Sequence, residues 1–381
     1  MKKLFYITYQ TFPGNTANTI QSIANIKYFV RNSVKVKLFF PIRSKESKAE
    51  IESLQKFYNF TEEFEVNGLD HPFRFGKHET EDPAFTLSLY NKFLFLYSHM
   101  MWSLKAVRHV LKKIEKPDVF FTRSDWVLFF LSLYKQNVIF ECHQYSKIRN
   151  LLIKLSLKSS KTKVIFVNNQ LPKTFNLDEK NNKNLLVLHN GFEEDLFKKN
   201  IEKIKNQIIF SGNISRFSKD RGINLIIKSF KNRNLFEKYK LKIIGGSQKD
   251  IERLNKLVKE LELGTSVEIL GKLDRKKTIQ KIQESDIGLL INSSNSDSSI
   301  HTSPLKYFEY LRSGLNIIAV DLPAHRELPL SENILFYKED DEKSFISTLN
   351  KLEKEENKSE IADINIFSVN NRVKKIIKFG L

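Results

Sequence analysis

Residues 303–320 read SPLKYFEYLRSGLNIIAV, and this stretch combines the start of a helix with a buried strand. Ser303 lies in a polar loop and Pro304 is a residue favoured in the first turn of a helix. Apolar side chains then recur at helical spacing as far as Gly314, and residues 316–320 form an apolar run of strand length. A helix that leads directly into such a strand is typical of a parallel α/β sheet.

The same alternation extends over nearly the whole chain. Predicted strands lie at 4–8, 34–40, 119–122, 138–141, 164–168 and 185–188, and again at 207–211, 241–245, 267–271, 287–292 and 317–321. Helical patterns lie between them, and a last basic, amphipathic helix is predicted over 370–379. Two successive series of this kind predict two doubly wound α/β domains, joined near 191–206.

Composition excludes several classes of protein. The 381 residues include 31 Phe and 12 Tyr, too many for a disordered chain. The single cysteine, Cys142, excludes an internal disulfide framework and fits a reducing compartment. No apolar run approaches the ~18 residues that span a bilayer. Lys2 and Lys3 resemble the start of a signal peptide, but the apolar stretch after them ends at Tyr6, so we expect a protein that stays inside the cell.

Charge is the strongest global signal. Lys and Arg number 63 against 44 Asp and Glu, a net charge of +19, and the first 200 residues contribute +12 of it. A basic surface favours nucleic acid, anionic lipid headgroups or phosphorylated substrates, and a lysine-rich composition that only maintains solubility is the alternative. Because no recognisable nucleic-acid module accompanies the charge, we expect no nucleic-acid partner.

The helix that begins at Pro304 is a candidate phosphate site. The backbone N–H groups of its first turn have no intrahelical acceptors and carry the positive end of the helix dipole. Glu309 lies one to two turns further along and can accept two hydrogen bonds from a ribose diol. The alternative is an ordinary helix with a solvated glutamate.

A second candidate follows the predicted strand 207–211. A glycine turn at Gly212 leads into a loop with three cations, Arg216, Lys219 and Arg221. At the carboxyl end of a strand these cations could neutralise a diphosphate leaving group, although cations in a loop are more often solvated. The stretch lacks the glycine spacing and the Lys-Ser/Thr ending of a Walker loop.

Other polar residues follow predicted strands of the first domain. His143 comes directly after the strand 138–141, and Gly14, Asn15 and Thr16 link the first strand to the first helix. A lone histidine is usually structural. The eight histidines do not cluster with carboxylates at ligand spacing, so we expect no metal site. No G-x-S-x-G is present, which argues against a Ser-His-Asp hydrolase.

Taken in order, these stretches resemble the motifs of retaining glycosyltransferases of family 4, also called group 1. The similarity extends through nearly the whole chain and is strongest over 185–328. The matching stretches are LHNGF at 188–192, the run from Phe210 to Phe230, LKIIGG at 241–246, VEILG at 267–271, SDIGLL at 285–290, SPLKYFEYLRSG at 303–314 and LPAHREL at 322–328.

The resemblance implies a fold and a reaction. The fold is GT-B, in which two Rossmann-like domains face a central cleft. It implies an acceptor-side domain over 1–195, a nucleotide-sugar-binding domain over 196–365 and a final helix, 366–381, that crosses back to the first domain. The reaction is retaining transfer of a hexose from a nucleotide-diphosphate sugar, a UDP-sugar being favoured over a GDP-sugar, to a surface glycan or lipid-linked acceptor. No cofactor and no metal are implied, and the basic first domain would rest on the anionic inner face of the membrane.

The resemblance also implies roles for individual residues. The donor diphosphate would be held by Gly212, Arg216, Arg221, Ser303, Leu305 and Lys306, the last two through backbone amides. Glu309 would bind the ribose, and Gly271, Lys272 and Leu273 would lie along the base. His143 would contact the transferred sugar, and catalysis is assigned to His143, Arg221 and Glu309. The loop Gly14, Asn15 and Thr16 would face donor or acceptor.

The chain departs from the family pattern at one important position. The first of two glutamates that the family spaces eight residues apart is His301 here, and we assign His301 to the sugar-binding loop. A non-catalytic nucleotide- or glycan-binding relative and a GT-B nucleotide-sugar epimerase therefore remain alternatives.

Overall fold

A computed structural model of the chain shows two compact units. It describes residues 1–14, 16–43, 47–71, 89–178, 180–216, 219–294, 298–352 and 363–381. Unit 1 consists of Met1–Leu188 together with Val369–Leu381, and unit 2 of His189–Ser368. The sequence placed the divisions at 195/196 and 365/366, whereas the contacts divide the chain at 188/189 and 368/369.

Strands and helices alternate in both units. The strands are β1 (Lys2–Ile7), β2 (Val34–Ile42), β3 (Glu65–Asp70), β4 (Val119–Thr122), β5 (Val138–Cys142), β6 (Thr162–Phe166), β7 (Leu185–Val187), β8 (Gln207–Ser211), β9 (Ser215–Arg216), β10 (Lys219–Asp220), β11 (Lys240–Ile244), β12 (Val267–Gly271), β13 (Ile287–Leu290), β14 (Asn316–Val320) and β15 (Ile334–Tyr337). The α-helices are α1 (Ala17–Arg31), α2 (Ile51–Tyr58), α3 (Leu89–Lys112), α4 (Asp125–Leu133), α5 (Lys147–Ser156), α6 (Gln170–Thr174), α7 (Ile223–Ser229), α8 (Arg233–Lys238), α9 (Gln248–Glu260), α10 (Arg275–Glu284), α11 (Ser298–His301), α12 (Leu305–Arg312), α13 (Pro323–Arg326), α14 (Glu342–Leu352) and α15 (Val369–Gly380).

Unit 1 is built on a seven-stranded parallel sheet in the order β3-β2-β1-β4-β5-β6-β7. Apolar clusters cover both faces of the sheet. One contains side chains of α1, α2 and α15, and the other side chains of α3, α4, α5 and α6. The helix predicted over 370–379 is therefore α15, and it belongs to the core of unit 1.

Unit 2 repeats this plan with six parallel strands in the order β12-β11-β8-β13-β14-β15. The small antiparallel hairpin β9–β10 lies in the loop after β8. Counted from the first strand of each unit, both sheets begin 3-2-1-4-5-6, the doubly wound order. The predicted α/β class, with two Rossmann-like domains, is confirmed.

The doubly wound order specifies where a ligand is expected. The direction of strand addition reverses between β1 and β4 in unit 1 and between β8 and β13 in unit 2. At such a switch point the loops after the two strands diverge and leave a crevice outside the carboxyl ends of the strands. Each unit therefore has its own candidate site at that edge of its sheet.

No helix in the described ranges is both long and apolar enough to cross a membrane.

Candidate active site

Arg221, which follows the hairpin β9–β10, bridges the two loops at the switch point of unit 2. Its Nη1 donates to the carbonyl of Asn213, after β8, over 3.4 Å. Its Nη2 donates to the carbonyl of Ile291 (3.1 Å) and to Oδ1 of Asn292 (2.9 Å), both after β13. The guanidinium of Arg221 therefore lies between the two loops at the position that the topology predicts.

Two glycines let the backbone come close together beside Arg221. Gly212 and Gly245, which follow β8 and β11, have φ values of +140° and +111°. A Cβ atom on Gly245 would lie 2.2 Å from the carbonyl oxygen of Gly212, and a Cβ on Gly212 would lie 2.9 Å from Nζ of Lys306. Only glycine fits at these positions without displacing the backbone or the ammonium group.

The ammonium group of Lys306 is the most unusual group of this site. Its Nζ is buried, and it has no hydrogen-bond partner in the part of the chain that the structure describes. It lies 4.2 Å from the centre of the Phe210 ring. Burial, with the positive charge of Arg221, lowers the pKa of Lys306 well below its ordinary value of 10.5. A buried ammonium in this environment is a receptor for an anion, because an anion would supply both the missing hydrogen bond and the opposing charge.

The start of α12 adds backbone donors at the same place. Pro304 is the N-cap residue, its side chain makes no capping hydrogen bond, and Leu305 and Lys306 are the first two helical residues. The first amides of an α-helix have no intrahelical acceptors, and the helix dipole makes them attractive to anions. Lys306 thus places its amide and its ammonium in one short segment.

Ser303 anchors this segment to the beginning of unit 2. Its hydroxyl accepts a hydrogen bond from the amide of Asn190 (3.0 Å), and its carbonyl accepts one from Nδ2 of Asn190 (2.5 Å). The Ser303 hydroxyl therefore orients the loop, and it is also within 3.5 Å of Nδ1 of His189.

Glu309 is buried on α12 and forms an ion pair that the sequence did not predict. Nη2 of Arg275 lies 2.5 Å from Oε1 of Glu309 and 3.7 Å from Oε1 of Glu193. The signal in the sequence was weak: Arg275 is the first residue of α10, two positions after the predicted base-binding residue Leu273. A positive side chain at the start of a helix opposes the dipole, which is a reason to look for a buried carboxylate nearby.

The predicted base-binding segment follows β12. Gly271 ends that strand with a φ of +66°, and its carbonyl accepts a hydrogen bond from the amide of Gly245 (2.7 Å). Lys272 is exposed and Leu273 is half-buried. The structure therefore brings 271–273 to the edge of the sheet where Gly212 lies, and the Arg275–Glu309 pair connects this segment to α12.

Two histidines lie near the anion site. His301 is buried at the end of α11, which packs against α13. His325, on α13, shares a hydrogen bond of 2.8 Å between Nδ1 and the carbonyl of Val320. Burial lowers the pKa of His325 to about 4, and the positive charges of Lys306 and Arg221 add to this effect. His325 is therefore neutral at pH 7 and lies within electrostatic reach of both cations.

In unit 1, the switch-point edge carries a buried network around Glu141. Nε2 of His143 lies 2.6 Å from Oε1 of Glu141, and Nη2 of Arg372, on α15, lies 2.6 Å from Oε2. Arg123, after β4, is 3.6 Å from the same carboxylate. These contacts keep the pKa of Glu141 well below its ordinary value despite its burial, and burial lowers the pKa of His143 to about 4. Because a carboxylate can only accept, Nε2 of the neutral His143 carries the proton and Nδ1 is an acceptor.

The predicted sugar and acceptor loop is hydrogen-bonded to Tyr58, the last residue of α2. The hydroxyl of Tyr58 lies 2.8 Å from the carbonyl of Gly14 and 2.7 Å from its amide. Thr16 is the N-cap of α1 and accepts a hydrogen bond from the amide of Thr19 (3.1 Å). Asn15 lies outside the described residues, as do the side chains of Arg216 and Lys219.

Comparison with solved structures defines the fold. A glycosyltransferase from Rickettsia africae is similar over 99% of this chain and 97% of its own, with a TM-score of 0.66 and 13% identity. Sucrose-phosphate synthase from Thermosynechococcus elongatus is similar with a TM-score of 0.63 and 12% identity, over 100% of this chain and 95% of its own. Anabaena HepE, solved with UDP and glucose, is similar with a TM-score of 0.60 and 14% identity, over 99% of both chains. The fold that these likenesses establish is GT-B.

A family model matches the second unit. Residues 191–367 match the model of the family "Glycosyl transferases group 1", a range that covers nearly all of unit 2. Over these residues unit 2 is similar to group 1 glycosyltransferases, and the whole chain has the GT-B fold. No curated protein matches the chain by sequence.

Proposed function

We propose that this protein is a glycosyltransferase that moves a hexose from a UDP-sugar to a surface glycan or lipid-linked acceptor, with retention of configuration at the sugar. The donor diphosphate would bind at Lys306 and the first turn of α12. The observation that carries the proposal is the buried ammonium of Lys306, which lacks a hydrogen-bond partner among the described residues and lies against the glycine turn at 212.

The diphosphate fits this place chemically. The amides of Leu305 and Lys306 and the ammonium of Lys306 supply donors and positive charge, and the charge of Arg221 already acts on Lys306. The side chain of Arg216 would add a further cation. A site with fixed donors and little water stabilises negative charge more strongly than water does.

We propose that the Arg275–Glu309 pair binds the ribose. Arg275 contacts Oε1 of Glu309, and we expect Oε2 to accept from the ribose diol. The base would lie along Gly271, Lys272 and Leu273, two residues before Arg275. Arg275 is then a positioning residue, because it orients the carboxylate without touching the sugar.

The main catalytic task is to stabilise the leaving group. The bond between the anomeric carbon and the diphosphate oxygen breaks, and the acceptor hydroxyl oxygen bonds to the same face of that carbon. The hydroxyl proton passes to the departing diphosphate oxygen. Lys306 and the first amides of α12 would stabilise the charge that develops on the diphosphate.

His143 and His301 are assigned to sugar recognition. The protonated Nε2 of His143 is held by Glu141, so Nδ1 is oriented to accept from a sugar hydroxyl. A neutral imidazole is suited to recognising a hydroxyl without attracting a second phosphate.

The test is a thermal-shift series followed by a transfer assay. Because a ligand stabilises the state that binds it, UDP and UDP-sugars should raise the melting temperature with the logarithm of their concentration, and GDP, ADP and CMP should not. Slow release of UDP from one UDP-sugar would then identify the sugar. No shift with any nucleotide, or binding without release of UDP in the presence of acceptor extracts, would contradict transfer and favour a non-catalytic binding protein.

A further inference from the structure

The carboxylate of Glu141 faces more positive charge than it can neutralise alone. It is fully buried near the end of β5, and Nη2 of Arg372 lies 2.6 Å from its Oε2. Its other oxygen, Oε1, lies 2.6 Å from Nε2 of His143 and 3.6 Å from Nε of Arg123. One buried negative charge is therefore shared between two guanidinium groups and an imidazole.

Both arginines are fixed in position by α1. Arg123 donates from Nη1 to the carbonyl of Asn18 (2.9 Å) and to Oγ of Ser22 (3.1 Å), and from Nη2 to Oδ1 of Asn18 (3.0 Å). Arg372, on α15, donates from Nη1 to Oδ1 of Asn25 (3.2 Å). Their side chains are 5% and 3% exposed. The fold thus holds two charges against the carboxylate from two different elements, the loop after β4 and the last helix.

His143 is the member of this network that a ligand can reach, because its side chain is 17% exposed and that of Glu141 is fully buried. A carboxylate in hydrogen-bond contact with an imidazole favours the charged form of the ring, so Glu141 alone would attract a second proton to it. The resulting imidazolium has two donors and no acceptor. It could no longer accept a hydrogen bond at Nδ1 from a sugar hydroxyl.

The two arginines oppose this second proton. Burial lowers the pKa of His143 to about 4, the arginines act in the same direction, and Glu141 acts against them. The charges of Arg372, His143 and Arg123 in turn keep the pKa of Glu141 below its ordinary value against the effect of burial. Tyr6, on β1, also faces these charges, and burial raises its pKa to about 12, so its hydroxyl is neutral at pH 7.

We propose that Arg372, acting through Glu141, keeps the imidazole of His143 neutral and correctly oriented. The ion pair occupies the charge of the carboxylate, so that the carboxylate accepts the Nε2 proton of the ring without attracting another proton to Nδ1. Arg123 contributes to the same balance from the loop after β4. Arg372 is thus a positioning residue. The state of His143 is a property of unit 1 without ligand, whereas its consequence for turnover rests on the function proposed above.

Nuclear magnetic resonance of the full chain with isotope-labelled histidine tests this directly. The signals of His143 are those that disappear in His143→Gln. The wild type should show a neutral ring, protonated at Nε2, from about pH 6 upward. Arg372→Met should raise the pKa of His143 by about 1–3, because the carboxylate loses its strongest counter-charge. Arg123→Met should raise it too, and provides the test if Arg372→Met does not fold.

A double variant separates the balance of charge from packing. Glu141→Gln/Arg372→Met removes both charges of the ion pair, so His143 should again be neutral from about pH 6 upward. Both tautomers of the ring should then appear, because an amide can donate or accept where the carboxylate only accepts. Arg372→Lys keeps the charge and should hold the pKa of His143 nearer to that of the wild type than Arg372→Met does. Lys375→Met removes a charge at an exposed position of α15 and should change nothing.

The pH dependence of turnover is the second readout. With the UDP-sugar identified in the donor screen, UDP release by the wild type should not fall through protonation of His143 between about pH 8 and 5.5. If Arg372→Met returns the pKa of His143 to its ordinary value of 6.5, about one ring in ten is neutral at about pH 5.5. Release by this variant should therefore fall about tenfold more than that of the wild type, and recover at higher pH, with the affinity for UDP within about twofold.

Two results would overturn the proposal. The first is a pKa of His143 that is the same in Arg372→Met and Arg123→Met as in the wild type. The second is a double variant in which the ring takes up its second proton at the same pH as in Arg372→Met, which would assign the effect to lost packing. The predicted shift without turnover of any UDP-sugar would instead contradict the proposed function and support the role of Arg372.

Discussion

Replacing Lys306 by Met separates the binding role of this residue from its structural effect. In the nucleotide-free protein the ammonium is buried with no hydrogen-bond partner in the described part of the chain and lies at the start of α12, where the helix dipole opposes it. Methionine keeps the length of the side chain and its contact with Phe210, but removes the charge. Lys306→Met should therefore stabilise the empty protein and weaken diphosphate binding at the same time.

The magnitudes follow from the contacts. A buried polar group without a partner costs about 1–3 kcal/mol, and more when it is charged. The face of Phe210 offsets about 0.5–2 kcal/mol of this cost. The net gain on substitution is about 1 kcal/mol, which raises the melting temperature of a domain of this size by about 2–4 °C. A charge-assisted hydrogen bond to a phosphate is worth about 1.5–3 kcal/mol, so the affinity for UDP should fall roughly 10- to 150-fold.

The assay is a thermal melt without nucleotide and a calorimetric titration with UDP, on wild type, Lys306→Met and a control. Lys228→Met makes the same substitution at an exposed position of α7 and should change neither quantity. A Lys306→Met protein that is less stable than wild type, and that binds UDP with unchanged affinity, would refute the reasoning. Such a result would mean that the ammonium is part of the core and not a receptor for an anion.

Three further substitutions test the rest of the site. Arg275→Met should weaken UDP binding about tenfold, because Glu309 loses the contact that orients it, and wild-type affinity would place the pair away from the ribose. His143→Ala should lower turnover by about tenfold or more while the affinity for UDP stays within about twofold, and equal losses in both would exclude a role at the sugar. Glu141→Gln should cost about 3–5 kcal/mol at pH 7 because it leaves Arg372 buried beside a neutral amide. Because the folded-state pKa of Glu141 is depressed, its contribution is complete above its unfolded value of 4.5 and is lost as pH falls below that value. The free energy of unfolding of the wild type, measured with urea, should therefore fall more steeply in acid than that of Glu141→Gln. Parallel pH dependences of the two free energies would contradict this account.

Periodicity predicted the central strands well, and of the four edge strands it predicted β7 and β12 but not β3 and β15. The strands β1, β8 and β13 are buried on both faces, and their continuous apolar runs are visible in the sequence. The edge strand β3, EVNGLD, has one neighbouring strand and mostly half-exposed side chains, so it lacks an apolar run. The helix α4, DWVLFFLSL, is so apolar that its periodicity is hidden. The type and position of such elements depend on the strands and helices that pack against them, and a single sequence does not show which these are.

In the candidate site, too, the sequence predicted local features but not contacts between distant residues. The helix start at Pro304, the glycine turn at Gly212 and the buried Glu309 could be located because each depends on local sequence. The ion pair of Glu309 with Arg275 joins residues 34 positions apart, and that of Glu141 with Arg372 joins residues 231 positions apart. Long-range pairs of this kind come from the packing of helices and cannot be read from spacing.

The measurement that tests the central claim most directly is the proton balance of UDP binding. Titrations at about pH 8–9, where the diphosphate is fully ionised, are performed in buffers of different ionisation enthalpy. The pKa of Lys306 is depressed in the empty site, and a bound anion should raise it toward its ordinary value of 10.5. The account predicts that wild type takes up protons when UDP binds, that affinity falls as pH rises through this range, and that Lys306→Met takes up none. Equal proton uptake in both proteins, or UDP binding by the wild type with no uptake at all, would contradict it.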